Sequence, residues 1–111
     1  MGKAKERIEE FNETFEYLMK NKKKPMREFN DFMDSVLEDG SLDTKTKELI
    51  ALGIGLAAKC QYCISLHTKK SLDAGATKDE IIEVATVATL MGGGPALAYS
   101  AKLKEALEEL E

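Results

Sequence analysis

The composition and the periodicity of the sequence predict an all-α fold. Hydrophobic residues make up 43% of the 111 residues and aromatic residues only 6%, so the core must consist mainly of Leu, Ile, Val, Ala and Met side chains. Cores of that kind are typical of packed helices. Apolar residues also recur every three or four positions, and no segment alternates as a strand would. We therefore expect about six helices forming a bundle in a single domain, residues 1–111.

Residues 1–40 are expected to form two amphipathic helices. Apolar residues recur at helical spacing over residues 3–21 and again from Pro25 to Gly40. Proline suits the first turn of a helix, because the N–H that it lacks would have no partner there. We expect these two helices either to contact another subunit or to form a lid over the sulfur atoms of the two cysteines.

The core of the domain is expected in residues 42–110, beginning with a helix from Thr44 toward Ala58. Ser41 and Asp43 precede it and offer side chains that can cap its N-terminus. Two glycines inside this helix weaken it by about 1 kcal/mol each relative to alanine when it is isolated. Close packing must compensate, so we expect this helix at the centre of the fold, where its small residues let neighbours approach: Ala51, Gly53, Gly55 and Ala57.

The remaining helices are marked by residues that end or begin helices. Gly75 is suited to end the helix that carries the two cysteines. Thr77 and Glu80 match a capping box, which opens the next helix. That helix is apolar nearly all round over residues 81–91, so we expect it to be buried between neighbours or against another subunit. Three glycines followed by Pro95 then break the pattern and start a final helix.

The charge balance and the lack of long apolar segments limit the partners. Sixteen basic against twenty acidic residues give a net charge of −4, which argues against nucleic acid, because binding phosphates requires clustered positive charge. The longest nearly uncharged run, residues 49–58, is half as long as the roughly 20 residues that a membrane-spanning helix needs. The charged N-terminus is followed by no apolar region of the kind found in secretion signals. We expect a cytoplasmic protein without a membrane partner.

The two cysteines and the one histidine of the chain fall within residues 60–67. Cys60, Cys63 and His67 are separated by three and four positions, spacings that return side chains to one face of a helix. In a compartment where thiols stay reduced, a close cysteine pair is typical of catalytic, redox-sensing or metal-binding sites. These residue types in this pattern therefore indicate chemistry at one helix face.

Four kinds of site contain cysteine and histidine at such short spacing. Covalent haem attachment requires histidine directly after the second cysteine, where this chain has Ile64. A zinc site needs a fourth ligand, which would be an acidic side chain or come from a second subunit. The cysteines can also be small core residues without chemistry. In a redox-active dithiol, His67 accepts the proton of Cys63, and Cys60 resolves the sulfenic acid that a peroxide forms there.

Together with a glutamate upstream, these residues match a family signature. Glutamate, eleven intervening residues and then C-x-x-C-x-x-x-H occur here as Glu48, Cys60, Cys63 and His67. In this pattern the chain resembles the AhpD-like alkylhydroperoxidase branch of the carboxymuconolactone decarboxylase superfamily, over residues 42–110. The resemblance implies an all-helical protomer that assembles into homotrimers or homohexamers and reduces hydroperoxides.

The resemblance also implies a role for each residue of the signature. Cys63 would be the nucleophile that reduces the peroxide, and Cys60 its disulfide partner and proton donor. Glu48 and His67 would form a proton relay, without a cofactor or a metal. An electron donor such as a lipoyl protein or a thioredoxin-like protein would reduce the disulfide again. Some family members carry histidine where this chain has Tyr62, so one element of their relay is missing or replaced by a phenol.

Two other functions compete with peroxide reduction. The lactone decarboxylases of the same superfamily share the fold that the resemblance implies but lack the dithiol, so the cysteines argue against that activity. A non-catalytic helical oligomer would use the dithiol to sense redox state or to bind a metal. Turnover of a peroxide distinguishes this second alternative from an enzyme.

The proton relay imposes a geometric condition on the chain. Twelve residues of unbroken helix would place Glu48 about 18 Å from Cys60, too far for a shared site. The chain must therefore turn between them, and we expect the turn near Ala58 and Lys59. A helix that folds back from there would bring the carboxylate of Glu48 to the imidazole of His67, directly or through a water.

Overall fold

The computed structural model describes residues 2–111, and these residues form helices without any strand. The helices in chain order are α1 Lys3–Asn21, α2 Lys23–Leu37, α3 Thr44–Ala57, α4 Gln61–Asp73 and α5 Lys78–Leu110. Gly93, inside α5, has the non-helical angles φ 70° and ψ −154°. It divides α5 into two helices, residues 78–92 and 94–110, so the predicted all-α fold with six helices is confirmed. None of the helices in residues 2–111 combines the length and the apolar character needed to cross a bilayer.

The predicted helix ends of the core are found in the structure. The Asp43 side chain accepts the backbone N–H of Thr46 at 2.8 Å and caps α3. Gly75 follows α4 with a φ of 95°, a conformation that glycine adopts without strain. Thr77 and Glu80 form the capping box of α5, with each side chain accepting the backbone N–H of the other residue.

The predicted bounds of α2 were wrong at both ends. The helix begins at Lys23, so that Pro25 is its third residue rather than its first. Proline is tolerated there because the N–H groups of the first turn have no partner within the helix. The helix ends at Leu37 instead of continuing to Gly40.

Side chains of α3 determine where α2 ends. The Lys47 ammonium donates to the carbonyl oxygens of Val36 at 2.8 Å and Glu38 at 2.6 Å. The Thr44 hydroxyl donates to the carbonyl oxygen of Leu37 at 2.7 Å. The last carbonyl groups of α2, which lack partners in their own helix, are thereby satisfied from α3.

The core lies where α3, α4 and α5 meet. Helix α3 packs against α4 and α5, and α4 packs against α1, α3 and α5, while α2 touches only α1 and α3. The expected central position of α3 is confirmed. No residue of α2 is buried. The largest apolar members of the core are Leu52, Leu56, Ile64, Ile81, Leu103 and Leu107.

The apolar segment 81–91 is not buried between neighbours in this chain, contrary to one of the two expectations. Ile81 and Ala88 face the core, but Leu90 and Met91 are 80% and 79% exposed. Helices α1, α3 and α4 pack against α5 but leave part of its surface uncovered, so apolar residues there remain at the surface. Burial against another subunit stays a prediction.

The N-terminal helix is attached to the last helix by two acidic residues. The Arg7 guanidinium donates to the Glu105 carboxylate at 2.7 Å. The Glu109 carboxylate accepts the backbone N–H groups of Ala4 and Lys5, at 3.1 and 3.2 Å. These N–H groups lie at the positive end of the α1 dipole, where a carboxylate is stabilising. Helix α1 is thus held in place beside the core.

We expect Arg7→Met to make the protein less stable by about 0.5–1 kcal/mol near neutral pH. The hydrogen bond and the charge of Arg7 hold the pKa of Glu105 below its ordinary value. A carboxyl whose pKa is lowered by folding stabilises the protein above its unfolded pKa, about 4.3. The difference should therefore disappear as the pH falls through the lowered pKa of folded Glu105, which urea denaturation across acidic pH would measure.

Lys78→Met is the control for this experiment, because its 3.4 Å contact with Glu111 is longer and more exposed. We expect it to change the free energy of unfolding little at any pH. If Arg7→Met lowered the free energy of unfolding equally at neutral pH and at pH values where Glu105 is protonated, the assigned role of Glu105 would be wrong.

Candidate redox site

The turn between α3 and α4 positions the cysteines. Lys59 adopts a left-handed conformation with a φ of 58°. Its N–H donates to the carbonyl of Leu56 at 3.1 Å, and the N–H of Cys60 donates to the carbonyl of Gly55 at 3.0 Å. This pair of bonds closes the C-terminus of α3 and reverses the chain. The turn that the sequence predicted near Ala58 is confirmed, with a lysine at a position where left-handed geometry costs about 1 kcal/mol.

Cys60 also begins the next helix. It is the N-cap residue of α4, and its Sγ accepts the backbone N–H of Cys63 at 3.1 Å. The two sulfurs lie at disulfide-bonding distance, with Cα atoms 5.2 Å apart. The N-terminus of a helix favours negative charge, so the position of Cys60 stabilises a thiolate when the disulfide is open.

A glycine of α3 allows this close approach of the cysteines. A Cβ atom added at Gly55 would lie 3.0 Å from the Cβ of Cys63. The first turn of α4 therefore lies directly on α3 at the point where α3 has no side chain. The small residues of α3 predicted a close neighbour, and the structure identifies Cys63 as the neighbour of Gly55.

Glu48 and His67 form a hydrogen-bonded pair across α3 and α4. Oε1 of Glu48 and Nδ1 of His67 are 2.7 Å apart. The contact is direct, and the predicted condition that the chain bring these two side chains together is met. Glu48 is only 4% exposed, and a buried carboxylate without a partner would cost several kcal/mol. When Nδ1–H of His67 donates this hydrogen bond to the Glu48 carboxylate, Nε2 of the neutral ring carries no proton and can accept one.

Cys63 and His67 line one cavity of about 330 Å³. They share a face of α4 with Leu66 and Lys70, as the spacing of the sequence predicted for Cys63 and His67. Cys60, which was predicted on the same face, is the N-cap residue of α4 and does not line the cavity. The opposite walls come from α1 and α2, so the expected covering of the reactive residues by these helices is seen. Their contribution is apolar throughout: Phe11, Phe29, Phe32, Met33, Val36 and Leu37.

The surroundings of the cysteines bear on the alternatives to a redox site. Cys63 lines a cavity instead of being sealed in the core, which disfavours a purely structural role. Among residues 2–111, no group of three or more His, Cys, Asp or Glu side chains is placed to bind one metal ion.

The sequence did not reveal the walls of the cavity or the cation beside it. The apolar stripe of α2 was apparent, but which helix it faces depends on the tertiary arrangement. Lys70 carried a local signal, since it follows Cys63 by seven positions and so returns to the same helix face.

Comparison with known families agrees with this geometry. The family model described as carboxymuconolactone decarboxylase family matches residues 24–106, which is most of the chain. The chain belongs to the carboxymuconolactone decarboxylase family.

Solved structures of other family members have the same fold. The apo structure of a carboxymuconolactone decarboxylase family protein from Legionella pneumophila is 34% identical, with a TM-score of 0.93 over 97% of this chain and 96% of that one. A family protein from Thermotoga maritima, suggested to take part in an antioxidative response, is 27% identical, with a TM-score of 0.83 over 93% of this chain and 88% of that one.

Relatives with similar sequences are themselves uncharacterized. A protein of Cupriavidus necator is 35% identical over 98 residues, which cover 88% of this chain and 87% of that one. A protein encoded in the cox locus of Paracoccus denitrificans is 38% identical over 76 residues, 68% of each chain. These relatives extend the family but assign no activity.

Gly55→Ala should displace the cysteine turn and destabilise the protein. Overpacking typically costs about 1–3 kcal/mol, and the higher helix propensity of alanine offsets about 1 kcal/mol of that. We expect a lower urea midpoint and a changed reduction potential of the Cys60–Cys63 pair, measured in glutathione buffers.

Gly53→Ala is the matched control on the same helix. Its added Cβ would lie 3.4 Å from Cγ1 of Val84, at the edge of ordinary contact, so the gain in helix propensity should dominate. If Gly55→Ala were as stable as Gly53→Ala and kept the potential of the wild type, close contact at Gly55 would not be what positions Cys63.

Proposed function

We propose that this family member is an AhpD-like, thiol-dependent peroxidase that reduces hydroperoxides through the Cys60–Cys63 dithiol. The observation that supports it most is the arrangement around His67. This residue is hydrogen-bonded to buried Glu48 and faces the same cavity as Cys63. A nucleophile and a base then line one cavity, and the buried Glu48 orients the base from behind, the arrangement that activated nucleophiles require.

In the proposed first step, Nε2 of His67 accepts the proton of the Cys63 thiol. The thiolate attacks the terminal oxygen of the hydroperoxide, an S–O bond forms and the O–O bond breaks. Cys63 becomes a sulfenic acid, and the departing alkoxide takes the proton from His67 to become an alcohol. The carboxylate of Glu48 stabilises the imidazolium that exists between the two proton transfers.

In the second step, Cys60 attacks the sulfur of the Cys63 sulfenic acid. A disulfide forms, and the leaving hydroxide takes the proton of the Cys60 thiol to become water. The Cα separation of 5.2 Å lies within the range for disulfides, so the start of α4 accommodates the bond that forms. Peroxide has then accepted two electrons from the dithiol.

A dithiol donor returns the site to its starting state. Its thiolate attacks Cys63, the sulfur that lines the cavity, and Cys60 leaves with its charge stabilised at the N-terminus of α4. The second donor thiol then displaces Cys63 and becomes part of the donor's own disulfide. A lipoyl group or a thioredoxin-like protein has the required chemistry.

Two further observations support peroxide reduction over lactone decarboxylation. The dithiol lies beside the base, where decarboxylation of a lactone would have no use for it. The suggested antioxidative role of the Thermotoga maritima protein agrees with a peroxidase.

We also propose that the protein works as a cytoplasmic homotrimer or homohexamer. Val87, Leu90 and Met91 of α5 are 60%, 80% and 79% exposed, and Ile54 of α3 is 65% exposed. Ile54, Val87 and Met91 line one groove between α3 and α5, and exposed apolar surface of this kind is typical of protein interfaces. A second subunit would cover it.

Cys63→Ser should abolish consumption of cumene hydroperoxide in the presence of dithiothreitol, because serine cannot form the sulfenic acid. Without dithiothreitol, Cys60→Ser should consume one equivalent and then stop, leaving a sulfenic acid on Cys63 that dimedone traps and mass spectrometry detects. Undiminished turnover in Cys63→Ser would refute the assignment of the nucleophile.

Glu48→Gln should lower kcat/KM by a factor on the order of 100, within the range for loss of a positioned acid–base group. The amide keeps the shape of Glu48 but no longer supplies the negative charge that stabilises the imidazolium. Glu80→Gln, at the capping box, is the control and should leave kcat/KM unchanged. Equal rates in Glu48→Gln and wild type would remove Glu48 from the relay.

A further inference from the structure

The cavity beside Cys63 has an unusual distribution of polar groups. Its walls are apolar side chains, and the charged residue among them, apart from the His67 ring, is Lys70. Within residues 2–111, Lys70 makes no salt bridge, whereas the neighbouring Lys69 pairs with Asp73 at 3.0 Å. A cation without a carboxylate partner therefore borders an apolar cavity in a protein whose net charge is −4.

The reactive sulfur and this cation lie at separate places along the cavity. Cys63 and Lys70 are seven positions apart on one face of α4, with His67 between them. Two turns of helix separate their Cα atoms by about 10 Å along the axis. The lysine stem can lie along the apolar wall while its ammonium reaches the water at the rim.

We infer that this cavity binds an apolar chain that ends in a carboxylate, with the carboxylate at Lys70 and the chain along the walls from α1 and α2. The substrate class is then a fatty-acid hydroperoxide whose peroxide group reaches Cys63. The peroxide part of this inference rests on the proposed function, but the binding of the chain does not.

The walls favour such a ligand over a small peroxide. The walls include the aromatic side chains of Phe11, Phe29 and Phe32. Hydrogen peroxide has no apolar atoms with which to contact them. Phe32 is 63% exposed and Phe29 49% exposed, and an apolar chain beside them would remove part of this surface from water. The charge of Lys70 complements the charge of a carboxylate, whereas an alcohol or an ester offers no charge for it to pair with.

Binding without turnover tests the chain and its carboxylate. Dodecanoate below its critical micelle concentration, and dodecanol below its solubility limit, are titrated calorimetrically into the oxidised protein, as wild type, Lys70→Met and Lys69→Met. We expect Lys70→Met to weaken dodecanoate binding by about fivefold, the equivalent of about 1 kcal/mol for an exposed ion pair. Dodecanol binding should not change, and Lys69→Met should behave as the wild type.

Equal dodecanoate affinities of wild type and Lys70→Met would overturn the inference. So would the failure of wild type to bind either ligand, the outcome expected if a second copy of the chain closes the cavity.

A turnover experiment separates this inference from the proposed function. For linoleic acid hydroperoxide, Lys70→Met should raise KM by about fivefold with kcat unchanged, while the methyl ester and cumene hydroperoxide should show no change. If wild type consumes cumene hydroperoxide but Lys70→Met leaves the KM of the acid unchanged, the fatty-acid substrate is wrong and the peroxidase stands. If no hydroperoxide is consumed while dodecanoate binding depends on Lys70, the peroxidase is wrong and the carboxylate site stands.

Discussion

The hydrogen bond between Glu48 and His67 is the contact on which the site depends. A carboxylate that is almost fully buried requires a partner, and the histidine supplies it from the adjacent helix. The same contact sets the register of α3 against α4. Gly55 contacts Cys63 nearer the turn. The earlier residue of α3 thus contacts the later residue of α4, as expected for antiparallel helices. A change at Glu48 therefore removes both the partner of His67 and a contact that sets this register.

The turn before α4 combines the end of one helix with the start of another. Cys60 donates its N–H to the end of α3 and accepts an N–H of α4 through its sulfur. Its backbone and its side chain are thus both held, which keeps the sulfur close to Cys63 in a turn that contains the left-handed Lys59. Local strain beside a reactive group persists only where the surrounding structure enforces it. Here the enforcing contacts are the two hydrogen bonds that close α3.

Helix α4 has two faces with different tasks. One face carries Cys63, His67 and Lys70 along the cavity. The other face is buried in the protein and consists mostly of small polar residues beside one isoleucine: Ile64, Ser65, Thr68 and Ser71. Small side chains there leave room for the other core helices, α3 and α5, to pack closely. The reactive face is left to the N-terminal helices, of which α2 buries no residue. The cavity thus lies between the core helix α4 and the N-terminal helices, which contribute its apolar walls.

The sequence by itself determined the helices of the core, their caps at Asp43, Gly75 and Thr77, and the helix face shared by Cys63 and His67. These features depend on side chains within about one turn of each other, so local chemistry suffices to predict them. The tertiary structure decided what that face meets. The end of α2 depends on side chains of α3, the exposed side of α5 on how much surface its neighbours offer, and the cavity walls on where α1 and α2 lie. Such contacts join residues far apart in the chain, and only the packing of the whole core sets their geometry.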